Sequence, residues 1–85
     1  MSLANWHVNN RLSLARWYAQ ESIISEQLGD HDKATEDIET ACDYLSQLEG
    51  HRVTLHSVSD VMAKACEIEE RVMGEAPATV LAAAE

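Results

Sequence analysis

The stretch from Trp6 to Leu28 constrains this chain more than any other, because as a helix it is apolar on two sides. At about 100° per residue, Val8, Leu12, Ala15, Ala19 and Ile23 fall into one narrow stripe of mostly modest side chains. Trp6, Leu14, Trp17, Ile24 and Leu28 form a second, bulkier stripe on roughly the opposite side. Arg16, Gln20 and Gln27 separate the two along one flank. A helix of this kind has to be covered twice.

The later part of the chain can cover one side. Gly29 stands where a helix-ending left-handed residue is wanted, and Asp30 can cap a second helix with Asp32 adding negative charge to its first turn. Ala34, Ile38, Ala41, Cys42, Leu45 and Leu48 then make a single stripe, and Gly50 ends that helix. The pattern loosens from His51 to His56. Ser57 with Asp60 resembles a capping box, with Thr54 as a rival cap. Beyond it Val58, Val61, Met62, Ala65, Ile68, Val72 and Met73 make a third stripe, which Gly74 and Pro77 are expected to stop. The pattern predicts helices over about residues 2–28, 31–49 and 55–73, the first capped by Ser2 or Asn5, in one domain spanning 1–76. Residues 77–85 are expected to form a frayed or short-helical tail. Short turns predict antiparallel neighbours, hence an all-α fold: an antiparallel three-helix bundle, or a helical hairpin plus a third helix.

Size and charge bear on the uncovered side. A chain of 85 residues buries only about 60% of the surface its unfolded form exposes, so a lone monomer is marginal. Large apolar side chains are scarce: there is no Phe, and the aromatics are Trp6, Trp17, Tyr18 and Tyr44. Homodimerisation would relieve that shortage. The net charge of −9 arises wholly after Gly29, where four basic residues face thirteen acidic ones. That argues against binding nucleic-acid phosphates or an anionic membrane surface. Two cysteines, with no signal peptide and no span-length apolar run, predict a reducing, cytoplasmic setting.

The run Leu28 to Leu45 resembles the turn and second helix of a tetratricopeptide repeat, with Gly29, Ala34, Ile38 and Ala41 at matching offsets. Tyr18 and Ser22 fall where that family has an aromatic and a small residue; Glu21 and Ser25 depart from it. The likeness covers about half of one repeat, without a second copy, and implies only an antiparallel hairpin.

Catalytic and metal signatures do not emerge. The four histidines are scattered, neither His-Glu-x-x-His nor Cys-x-x-Cys occurs, and no glycine-rich phosphate loop is present. His31 between Asp30 and Asp32 reads as a solvated turn residue, and Cys42 and Cys66 as small hydrophobes at stripe margins. Glu69 falls within the third apolar stripe, where Arg11 or Arg16 can meet it. The expectation is a non-enzymatic protein without cofactor: a homodimeric interaction module acting as adaptor or inhibitor of another protein. Its contact surface is the bulky stripe (Trp6, Leu14, Trp17, Ile24, Leu28) or, if those indoles form the core, the smaller one (Val8, Leu12, Ala15, Ala19, Ile23). The alternative is an acidic decoy, analogous to phage-encoded inhibitors, that occupies the nucleic-acid groove of a basic protein through Asp30, Asp32, Glu36, Glu39 and Asp43.

Overall fold

A computed structural model describes the backbone of residues 3–84 and the side chains of residues 5–72. Three helices make up the fold: α1 (Leu3–Gln27), α2 (His31–Glu49) and α3 (Val58–Ala84), with no strand among the described residues. The local signals act as expected at the α1–α2 turn. Gly29 is left-handed (φ 80°), its N–H reaches Glu26 O (3.0 Å) and the Asp30 N–H reaches Ser25 O (2.9 Å). These are the two bonds of a Schellman ending. Asp30 then accepts from the Lys33 N–H (3.1 Å), capping α2. Gly50 ends α2, also left-handed, and Ser57 rather than Thr54 caps α3 by accepting from the Asp60 N–H (3.1 Å). At the start of α1, Asn5 lies inside the helix; Ser2 lies outside the described residues.

Two expectations are corrected. α3 extends through Gly74 and Pro77 to Ala84, with the strong helix formers of the Ala-rich segment lying beyond the two unfavourable residues. The direction of α3 is also not the one short turns imply. Beyond Gly50 the chain leaves the helical conformation and residues 52–56 return along α2: the Val53 N–H donates to Ser46 Oγ (2.8 Å), and the Cys42 thiol donates to Leu55 O (3.7 Å). A chain of eight extended residues spans up to about 26 Å, enough to re-enter halfway along α2. From there α3 runs back toward the end of α2, with Lys64 and Arg71 both meeting Glu49. It is therefore antiparallel to α1, where Arg16 meets Glu69 (3.2 Å), and runs in the same direction as α2.

The core is narrow and rich in alanine. Leu12, Ala15, Ala19, Ala41, Leu45, Val61, Ala65 and Ile68 are all within 1% of full burial. Alanine on each helix lets the axes approach closely, and the molecule is only 19 Å across its thinnest dimension, about two helix layers. Toward the end of α1 the packing turns polar. Ser22 Oγ donates to Ala34 O (2.9 Å), and Ser25 Oγ donates to Asp37 Oδ2 (3.1 Å). Asp37 is 3% exposed, and its other oxygen takes Lys33 Nζ (2.8 Å).

Candidate functional site

The structure resolves which side of α1 is left over. The smaller stripe is the core: Leu12, Ala15 and Ala19 are buried and Val8 packs against them, so that surface is consumed within the bundle. Ile23 departs from its stripe and is 41% exposed, because the helix crossing turns Ser22 and Ser25 inward in its place. The bulky stripe faces outward. Trp6 (54% exposed), Trp17 (53%), Ile24 (49%) and Leu28 (78%) lie within about 40° of one another around the helix. Leu14 is half-buried, on the flank of that group.

Trp17 is held in place. Its ring stands edge-on to Tyr18 (centroids 5.0 Å, interplanar 90°), and Tyr18 in turn stacks on Tyr44 of α2 (5.9 Å). An aromatic fixed from behind and open in front loses little rotamer freedom on contact, as interface anchors require. The electrostatics of the face are equally specific. Arg11 donates to Gln47 Oε1 (3.0 Å) and Arg16 pairs with Glu69, as its place in the third stripe suggested. Glu26 holds His31 Nδ1, raising the imidazole's pKa above its ordinary value. Three of the four charged side chains of α1 thus engage neighbours off the face. The fourth, Glu21, lies at its edge near enough to Lys33 to raise that amine's pKa, behind the larger effect of Asp37. What remains is an apolar strip running about 33 Å along the helix, edged by Glu21 and by Asn10, which accepts from Arg11 Nη1 (2.6 Å).

The acidic residues of α2 lie elsewhere. Asp32, Glu36, Glu39 and Asp43 share one exposed stripe opposite its buried face. Asp43 is paired with Arg52 (3.2 Å), and Asp30 is occupied as the α2 cap. A cleft of about 700 Å³ opens between the end of α1, α2 and the 50–57 segment, floored by Ala34, Ile38, Cys42 and Val53. Sequence reading missed it. The signal lay in Val53-Thr54-Leu55, whose buried–exposed–half-buried alternation belongs to an extended strand-like segment. On its floor the Cys42 thiol is 4% exposed and committed to Leu55 O. Cys66 on α3 is exposed and accepts from Arg16 Nη2 (3.8 Å).

The remaining strong charge cluster ties α2 to α3. Glu49, its side chain 5% exposed, takes Lys64 Nζ (2.9 Å) and Arg71, with His51 Nε2 at 3.7 Å. Hydrogen bonds from Arg71 and Lys64 hold its carboxyl well below the carboxylate range, at about 2. Among the described residues no group of three or more His, Cys, Asp or Glu side chains is arranged to hold a metal ion, and no helix is long and apolar enough to cross a membrane. No protein-family model, curated protein or solved structure matches this chain, so its function is read from the face of α1 itself.

Proposed function

We propose that this protein is a small, non-catalytic interaction module, an adaptor or inhibitor, that presents the outer face of α1 to a protein partner. The observation that carries this reading is the exposure of Trp6, Trp17, Ile24 and Leu28 on one apolar stripe of a bundle already closed by the opposite stripe. Contiguous exposed apolar surface with rigid aromatic anchors is the composition of an interface core. Affinity capture from native lysate tests it, comparing wild type with Trp17→Glu. The variant keeps its helical content and loses the captured protein; a variant that retains every partner contradicts the reading.

A second reading draws on the exposed α2 stripe of Asp32, Glu36, Glu39 and Asp43, which offers a basic groove a line of carboxylates. Their spacing of about 5.5 Å is sparser than the one phosphate per about 3.4 Å of a nucleic-acid strand, and Arg52 already engages Asp43. That favours the apolar face. Binding through α2 would collapse as salt rises, whereas binding through α1 would change little.

A further inference from the structure

We propose that the occupant of the α1 face is a second copy of this chain, laid antiparallel with Trp17 at the two-fold axis. This rests on the reading of that face as an interaction surface and names its partner.

The spacing of the exposed residues carries the first part of the argument. Trp6 and Leu28 lie eleven residues to either side of Trp17. Turning a second α1 end for end about Trp17 therefore sets Trp6 against the partner's Leu28 at both ends of the contact. Ile24 lies one turn nearer the axis, beside the same indole. On the flank of the face, Ser13 comes within one residue, about 1.5 Å, of the level of the partner's Gln20. Such a surface is self-complementary, as an isologous two-fold contact demands.

Charge carries the second part. Residues 1–29 sum to zero while the rest of the chain bears all of the −9. Two copies meeting through α2 or α3 would juxtapose like charges, a cost the neutral α1 face avoids. Area carries the third. The exposed parts of Trp6, Trp17, Ile24 and Leu28 amount to roughly 500 Å² per chain, so two copies bury about 1,000 Å², the level at which a specific interface becomes sustainable.

Sedimentation equilibrium on the full chain, with helical content followed by circular dichroism, is the test. Wild type is expected to be a reversible dimer, and Trp17→Glu to raise the dissociation constant by about 100-fold or more, since it sets two carboxylates at the axis. Leu28→Glu, at a position 78% exposed and thus without consequence for the bundle, is expected to weaken association as well. Orientation is read from Ser13→Lys, Gln20→Glu and the double variant, both positions being exposed. In the antiparallel register each new lysine faces the partner's new glutamate, so the double variant associates several-fold more tightly than the two single effects combined predict. A wild-type monomer at about 100 µM, or a dimer indifferent to both Trp17→Glu and Leu28→Glu, overturns self-pairing; absence of coupling between positions 13 and 20 overturns the register. A monomer whose Trp17→Glu variant still loses a captured protein removes only the second copy as occupant and leaves the interaction reading intact.

Discussion

Replacing Glu49 by Gln tests both the electrostatics of the bundle and the direction of α3. The carboxylate is 5% exposed and takes Lys64 and Arg71 from α3. With its folded pKa at about 2 against an ordinary 4.5, the shift alone sets a ceiling of about 3 kcal/mol at neutral pH. Lys64 and Arg71 retain 21% and 47% exposure, so water offsets much of their loss, and about 1–2 kcal/mol is the expected cost. Because the folded pKa is depressed, the contribution is present above about pH 4.5 and lost as pH falls toward 2. Urea unfolding followed by circular dichroism at pH 7, 5, 4 and 3 should show the gap between wild type and Glu49→Gln narrowing over that window. Adding Lys64→Met closes a double-mutant cycle with a coupling of about 0.5–1 kcal/mol. Were α3 antiparallel to α2, Glu49 would face residues near Val58 instead. A gap that does not change with pH, or zero coupling to Lys64, would refute the assignment.

Two further predictions concern packing. Leu45 is fully buried and Leu28 is 78% exposed, so identical Leu→Ala changes are expected to cost about 3–5 kcal/mol at position 45 and under about 1 kcal/mol at position 28, by urea unfolding of the dilute protein. Equal losses would mean that the stripes have been assigned to the wrong sides. Asp37→Ala leaves the Ser25 hydroxyl buried without its acceptor and frees Lys33. It is expected to destabilise by about 2 kcal/mol, and pairing it with Ser25→Ala should recover part of that loss. An additive pair would mean the two side chains do not interact.

Much of the local structure was legible because it depends on single residues. Gly29, Asp30, Gly50 and Ser57 each solve a helix-end problem within a few residues of chain. An ion pair from Glu69 to an α1 arginine was legible from a carboxylate placed among apolar neighbours, but the choice of Arg16 over Arg11 was not. The choice between the two faces of α1 was not, since hydrophobicity favours burying the indoles. Side-chain size decided it: Ala15, Ala19, Ala41 and Ala65 are all fully buried, so the helices meet through alanines, and a tryptophan there would force them apart. The polar layer of Ser22, Ser25 and Asp37 was hidden for a related reason. Small polar residues satisfy the same close approach provided each finds a partner, and the partners stand twelve residues away on another helix. The direction of α3 depended on whether residues 50–57 turn or extend, which helical periodicity does not report.

An alanine core solves the problem of close approach and creates one of stability. Among the described residues only Leu12, Leu45, Ile68 and Val61 are large side chains with less than 2% exposure, so this part of the bundle removes little apolar area from water. The large side chains that would make up the difference, Trp6, Trp17, Ile24 and Leu28, sit on the outside. Covering that face therefore stabilises the fold itself, by about 2.7 kcal/mol when the covering partner is present at a hundred times its dissociation constant. If the partner is a second copy, the melting temperature must rise with protein concentration, by several degrees over a hundredfold range for a domain of this size. Trp17→Glu should flatten that dependence while leaving the dilute wild-type and variant melting temperatures close together. A wild-type melting temperature independent of concentration would break the link between the spare face and the thin core.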